Sequence, residues 1–168
     1  MKKAIVIALI WCGGAVFLRG QNPDLLRNQL VGTWRFVSST QRLADGTTRP
    51  DGQTGPAGAG YLIYAKSGQV CVVVGNSARP RWRSPQEPTD GEVRNAFDGL
   101  TAYAGTFQVN EVERSVVHRI EVDRVPNSVG AERKRYCTVN GNRLILRAAP
   151  PLPAGVEEWT IVWERVGE

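Results

Sequence analysis

Alternation between apolar and polar side chains recurs along most of this chain, from about residue 33 to its end. Residues that alternate with period two have their side chains on opposite faces of an extended strand. The alternation predicts eight strands, over 33–41, 60–65, 69–74, 101–110, 115–123, 132–139, 143–148 and 157–166. The segments 66–68 and Asn140-Gly141 have the length and composition of hairpin turns. Neighbouring strands are therefore expected to pair antiparallel.

Eight antiparallel strands joined in sequence order predict an all-β fold, an up-and-down barrel. A barrel of this size has an interior that holds side chains or one small ligand. One or two short helices accompany it, over 24–30 and 89–100, the second capped by Thr89 or Asp90. The segments 44–58, 79–88 and 149–155 are rich in Gly, Pro or Asp and are predicted loops. A two-sheet sandwich has the same strand pattern and remains the alternative.

The alternation also predicts which side chains face the interior. Over 115–123 the apolar set is Val116, His118, Ile120 and Val122, so the only histidine of the chain is expected to point inward. Over 101–110 the pattern leaves open which face is internal. The candidate ligand-binding residues are His118, Tyr64, Tyr103, Phe107 and Ile120.

His118 has two interpretations. In the first it is a neutral buried imidazole whose partner is a tyrosine or a backbone carbonyl. In the second it is a polar group in an apolar pocket, able to bind a ligand or to transfer a proton near neutral pH. Its spacing from other reactive residues forms no recognisable catalytic motif, and one histidine with two distant cysteines is a poor zinc-binding set. No metal and no cofactor are expected.

A structural role is predicted for three residues near the ends of the barrel sequence. Gly32 gives the backbone freedom to enter the first strand, and Trp34 supplies a large apolar side chain at its start. Barrel closure makes the first and last strands neighbours. Arg165 would then lie against the indole of Trp34 and close that end through a cation–π contact.

The first 20 residues have the composition of an export signal. Two lysines follow Met1, and residues 4–18 are almost wholly apolar. This apolar run is too short to favour a permanent membrane anchor, and no stable transmembrane segment is expected once the signal is cleaved. We therefore expect a signal peptide over 1–20, a barrel domain over 21–168, and a periplasmic or secreted protein. Lipid attachment at Cys12 and an uncleaved anchor remain alternatives.

The remaining composition narrows the choice of partner. The formal charge is +5, but the predicted mature part carries 18 basic and 16 acidic residues, about +2. That balance does not favour nucleic-acid binding. Cys71 and Cys137 are an even pair in an oxidising compartment, and either a disulfide or two buried thiols fits the sequence. The oligomeric state is not indicated.

Several segments, in order along the chain, resemble bacterial lipocalin-like domain proteins. They are LVGTWRFVS at 30–38, GYLIY at 60–64, AFDGLTAYAGTF at 96–107, VHRIEV at 117–122, RY at 135–136, NRLIL at 142–146 and VWER at 162–165. The resemblance implies an eight-stranded calyx barrel and binding of a small apolar molecule.

Three functions follow as hypotheses. The first is an exported protein that binds a small hydrophobic or amphipathic ligand in the barrel. The second is an isomerase, cyclase or dehydratase that uses His118 as acid or base, with a tyrosine as helper. The third is a structural envelope module with a filled barrel. A cavity beside His118 favours the first two, and a packed interior favours the third.

Overall fold

A computed structural model describes residues 25–167, which form one antiparallel β-barrel. The strands are β1 (Gly32–Leu43), β2 (Thr48–Pro50), β3 (Gly58–Tyr64), β4 (Gln69–Asn76), β5 (Leu100–Asn110), β6 (Ser115–Asp123), β7 (Glu132–Asn140), β8 (Arg143–Ala148) and β9 (Val156–Arg165). Two α-helices, α1 (Leu25–Leu30) and α2 (Asp90–Asp98), and a 3₁₀ turn at Pro126–Ser128 complete the described fold.

Pairing between the first and last barrel strands closes the sheet. β1 pairs with β9 from Trp34 to Leu43, and the other strands follow in the order β1-β3-β4-β5-β6-β7-β8-β9. The predicted closed barrel is confirmed, and the sandwich alternative is wrong. The structure adds β2, which lies within the predicted loop 44–58 and pairs with residues 40–42 of β1. Its three exposed residues have no apolar alternation, so the sequence offers no periodic signal for it.

A β-bulge near the end of β6 reverses which of its side chains face the barrel interior. Gly105 pairs with Ile120 and Ala104 pairs with Val122, so Glu121 is the extra residue. A β-carbon at Gly105 would collide with the backbone carbonyl of Arg119, and only glycine permits this approach. The prediction that Val122 faces inward is therefore wrong. Val122 is 60% exposed, whereas the side chain of Asp123 is 5% exposed.

Helix α1 closes one end of the barrel. Leu26 and Leu30 are fully buried, and the carboxylate of Glu111 accepts hydrogen bonds from the backbone N–H groups of Leu26 and Arg27 at 2.9 and 3.1 Å. Inside this end, Trp34 Nε1 donates to the Leu30 carbonyl at 2.7 Å. The first donors of the helix are therefore satisfied while it covers the apolar floor of the barrel.

Helix α2 forms where the sequence predicts it, with Thr89 and Glu92 as a reciprocal capping box. Its apolar residues do not join the core, since Val93 and Phe97 are 47% and 44% exposed. Cys71 and Cys137, the two cysteines within residues 25–167, form no disulfide with each other. Cys71 lies on the outer face of β4, while Cys137 is buried on the inner face of β7.

Among residues 25–167, no helix has the length and apolar character needed to cross a bilayer.

Candidate functional site

A cavity of about 460 Å³ occupies the half of the barrel that is distant from α1. Its wall is mostly apolar, with side chains from β1, β3, β4, β8 and β9, and the proline-rich segment 149–153 borders it. Aromatic groups are prominent on one side, where Phe36 and Trp163 pack edge to face with their ring centres 5.5 Å apart. The volume and the apolar lining are those of pockets that enclose small organic molecules.

His118 lies between two tyrosines at the inner boundary of this cavity. Its Nε2 atom is 2.7 Å from the Tyr64 hydroxyl, and its Nδ1 atom is 2.9 Å from the Tyr103 hydroxyl. The imidazole is 1% exposed. Strands β3, β5 and β6 each supply one member of this trio, and all three residues are among the predicted ligand-binding residues.

Hydrogen-bond accounting assigns the tautomer of His118. A neutral imidazole and two hydroxyls carry three polar hydrogens, but the trio contains only two hydrogen bonds. The spare hydrogen belongs to Tyr103, because Tyr103 borders the cavity and Tyr64 does not. A spare donor on buried Tyr64 would lack any partner among the described residues. Tyr64 therefore donates to Nε2, and Nδ1–H donates to Tyr103.

The surroundings of His118 keep it uncharged. Burial, reinforced by the positive charges of Arg135 and Arg133, lowers the pKa of His118 to about 3. Burial also raises the pKa of Tyr64 well above its usual value and raises the pKa of Tyr103. A base that is neutral, enclosed and bonded at both nitrogens is poorly placed to exchange a proton with a ligand. The geometry favours the first interpretation of His118, a satisfied buried imidazole.

The five predicted ligand-binding residues separate into two groups. His118 and Tyr103 border the cavity. Tyr64, Phe107 and Ile120 are buried outside its wall, in the packed half of the barrel. The Tyr64 and Phe107 rings lie 4.8 Å apart, so this group fills space beneath the cavity. Period-two alternation identifies inward residues but not their depth along the barrel axis.

The three residues with predicted structural roles meet at the closed end. Gly32 begins β1, Trp34 is fully buried, and the Arg165 guanidinium lies 4.1 Å from the centre of the indole. Arg165 also donates hydrogen bonds to the backbone carbonyls of Val31 and Gln29. The cation thus joins β9 to the end of α1 and to Val31, which links α1 to β1, on the side opposite the cavity.

Two arginines on the inner face of β7 border the cavity and were missed by the sequence analysis. In the register between β6 and β7, Arg133 lies opposite His118 and Arg135 lies opposite Val116. Both arginines therefore share the inner face with these two residues. The sequence does contain a signal for this inner face, because the apolar residues Cys137 and Val139 occupy odd-numbered positions of β7, as Arg133 and Arg135 do. Charged residues at inward positions contradict the usual rule that alternation places charge outside, which is why the pattern was overlooked.

The cavity wall also contains hydrogen-bond donors without protein acceptors. Trp163 is 2% exposed, and its indole N–H has no acceptor among the described residues. By contrast, Trp159 Nε1 donates to Ser39 Oγ at 2.8 Å. Buried donors are normally paired, so an unpaired one beside a cavity is a position for a ligand acceptor. Within residues 25–167, no cluster of three or more His, Cys, Asp or Glu side chains is arranged to bind a metal ion.

The sequence of this chain is similar to one protein family and to a curated carrier protein. A family model described as a lipocalin-like domain matches residues 31–166. A curated protein of Aspergillus oryzae, the 4'-hydroxy-3'-methoxypropiophenone carrier protein, is 29% identical over 86 residues, which cover 46% of this chain and 78% of that protein.

Solved structures that are similar to this chain are more distant in sequence. A lipocalin-like protein from Bacteroides uniformis is 12% identical, with a TM-score of 0.42, and the match covers 82% of this chain and 99% of that one. A structure titled REP1-NXSQ fatty acid transporter is 13% identical, with a TM-score of 0.38, over 84% of this chain and 98% of that one.

Proposed function

The chain belongs to the family of lipocalin-like domains, and we propose that it binds a small hydrophobic or amphipathic molecule inside the barrel. The observation that carries this proposal is the cavity of about 460 Å³, with its largely apolar wall. A barrel built only as a structural module would gain stability by filling that space with side chains. The cavity therefore favours a binding protein over a filled envelope module.

The similarity to a protein named as a carrier of 4'-hydroxy-3'-methoxypropiophenone supports the proposal that this chain also binds a small organic ligand. That compound is an aryl ketone, apolar over most of its surface with a few oxygen acceptors. The cavity wall is likewise aromatic and aliphatic over most of its area, and polar and charged side chains form the rest. Export of the protein stays a prediction, because residues 1–20 lie outside the described part of the chain.

The surroundings of His118 do not support the alternative of an acid–base enzyme. His118 is the residue on which that hypothesis depends, and both of its nitrogens already have tyrosine partners. Its pKa of about 3 leaves it unprotonated near neutral pH, so it lacks an acidic proton to deliver as imidazolium. A carrier or sensor of small molecules needs no such proton.

Binding inside the barrel can be tested with the neutral dye Nile red, whose fluorescence rises in apolar surroundings. Ala148 borders the cavity, and Ala148→Trp would place a large ring in it. Val112→Trp is the matched control, because Val112 is 95% exposed in the turn between β5 and β6. We expect saturable dye binding by the wild type and the control, and loss of binding by Ala148→Trp. Equal binding by all three proteins would contradict a site inside the barrel.

A further inference from the structure

The inner face of β7 brings two arginines to the cavity, and they differ in one respect. Arg133 forms an ion pair with Asp123, with 2.6 Å between Nη2 and Oδ2. Arg135 has no carboxylate within 4 Å among residues 25–167, and its side chain donates a hydrogen bond from Nη1 to the Lys134 carbonyl at 2.9 Å. Two residues of the same type and the same face thus have different electrostatic environments.

The other charged side chains of the cavity wall have partners in the described structure. Glu132 pairs with Arg119 at 2.7 Å, and Lys134 pairs with Glu113 at 2.7 Å. Asp51 accepts hydrogen bonds within its own loop, from the backbone N–H of Gln53 at 2.9 Å and from the Thr54 hydroxyl. Arg135 is the charged wall residue of this part of the chain that lacks a counter-ion or an equivalent set of bonds.

An enclosed guanidinium without a counter-ion is unfavourable in the free protein. Removal from water penalises the charged form, and the nearby charge of Arg133 adds repulsion. Both effects lower the pKa of Arg135 from its ordinary value. An anion in the cavity would reverse the penalty, since a guanidinium and a carboxylate form strong, paired hydrogen bonds in a low-dielectric site.

Two other donors that border the cavity favour the same ligand group. Trp163 Nε1–H lacks an acceptor, and the tautomer of His118 leaves the Tyr103 O–H free at the cavity. Two acceptors of the wall are already engaged, since Gln53 Oε1 accepts from Thr101 and Ser39 Oγ accepts from Trp159. A ligand group that only accepts, carries negative charge and has several lone pairs matches these donors. A carboxylate has all three properties.

We propose that the polar part of the cavity is an anion subsite in which Arg135, assisted by Tyr103 and Trp163, binds the carboxylate of an amphipathic organic acid. The apolar part of the wall, which includes Leu62, Val72, Leu146 and Ile161, then holds the hydrocarbon portion of that acid. This inference rests on the proposed function, because it names the class of ligand that occupies the same cavity.

The test compares decanoate with decanol, which share a hydrocarbon chain and differ in charge. Binding to the full chain is measured by calorimetry and by quenching of tryptophan fluorescence, because Trp159 and Trp163 border the cavity. We expect the wild type to bind decanoate about tenfold more tightly than decanol, or better, since a hydrogen bond to a charged group has that strength. This comparison needs no variant and is independent of any folding defect.

Two substitutions then assign the preference to one side chain. Arg135→Gln should weaken decanoate binding about tenfold or more and leave decanol binding nearly unchanged. Arg147→Gln is the control, because Arg147 lies on the neighbouring strand β8 with its side chain exposed, and it removes the same formal charge. That variant should retain the wild-type preference.

The outcomes separate the two proposals. Equal affinity of the wild type for acid and alcohol, or an acid preference that survives Arg135→Gln, would overturn the anion subsite and leave the apolar binding function standing. Failure of the wild type to bind either compound or Nile red would contradict the proposed function itself. An acid preference that is lost only in Arg135→Gln is the expected result.

Discussion

A β-carbon at Gly32 would lie 2.7 Å from Nη1 of Arg165, the atom that donates to the Val31 carbonyl at 2.9 Å. Gly32 also has a φ of +134°, which L-residues with side chains rarely adopt. A side chain at position 32 would therefore force the guanidinium of Arg165, the last residue of β9, to move from its place beside the first residue of β1. This relation couples barrel closure to the cation that covers Trp34.

Replacement of Gly32 should therefore destabilise the closed end. Gly32→Ala is expected to lower the free energy of unfolding by about 1–3 kcal/mol from backbone strain, with a further loss from displacement of Arg165. Gly46→Ala is the control, because Gly46 has a φ of +83° but a β-carbon added there would meet no atom within 4 Å. Urea unfolding should show a larger loss for Gly32→Ala, and equal losses would contradict the role of Arg165.

His118 should make the protein less stable in mild acid. Its folded-state pKa of about 3 lies below the ordinary value of 6.5, so the unfolded chain binds the proton first as the pH falls. Stability is then complete above about pH 6.5 and decreases toward pH 3. From pH 8 to pH 5 the loss is about 2 kcal/mol, since each pH unit below the unfolded pKa contributes about 1.4 kcal/mol.

The variant His118→Gln isolates that contribution. It should be less stable than the wild type at pH 8, because a buried pair of hydrogen bonds is disturbed, but its stability should change little between pH 8 and pH 5. Carboxylates such as Glu92 and Glu113, whose pKa values are lowered from 4.5, titrate mainly below this window. Parallel slopes for the two proteins in urea unfolding would show that His118 is not the titrating group.

The two tyrosines that contact His118 should differ in their effect on ligand binding. Tyr64→Phe and Tyr103→Phe each remove one buried hydrogen bond, and each should cost about 1 kcal/mol of stability. Only Tyr103 has its hydroxyl hydrogen free at the cavity, so Tyr103→Phe should also weaken decanoate binding severalfold. Calorimetry checks both effects. A larger binding defect in Tyr64→Phe would contradict the assigned tautomer.

Arg135 should reduce the stability of the ligand-free protein. Its guanidinium is enclosed without a counter-ion in the described structure, so Arg135→Met is expected to raise the free energy of unfolding by on the order of 1 kcal/mol. Arg147→Met, on the exposed face of the adjacent strand, should change it by less than about 0.5 kcal/mol. A marked destabilisation in Arg135→Met, measured without ligand, would contradict the idea that this charge is held for binding.

The barrel was predictable from the sequence because hairpin connections and period-two alternation are local signals. The inward position of His118 and the neighbouring positions of Trp34 and Arg165 follow from those signals and from closure. The bulge at Glu121 was not predictable, since it depends on the close approach of Gly105 to the neighbouring strand. The same limit explains why the alternation placed Val122 inside.

The candidate site was predictable only in part, for a geometric reason. Alternation assigns a residue to the inner face, but its height along the barrel depends on strand tilt and register between distant strands. Tyr103 and Phe107 share a face of β5, yet only Tyr103 borders the cavity. The importance of Arg135 depends on the lack of a carboxylate within 4 Å of it among residues 25–167. The position of every carboxylate relative to Arg135 is set by other strands and loops, which the local pattern does not reveal.

The most direct test of a binding site inside the barrel is an NMR experiment on the protein saturated with decanol, a ligand that does not depend on the anion subsite. Intermolecular nuclear Overhauser effects should connect the decyl chain to the indole protons of Trp163 and to the methyl groups of Leu62 and Val72. Contacts only with Tyr61 and Ile63, exposed apolar residues of the outer barrel face, would contradict the account.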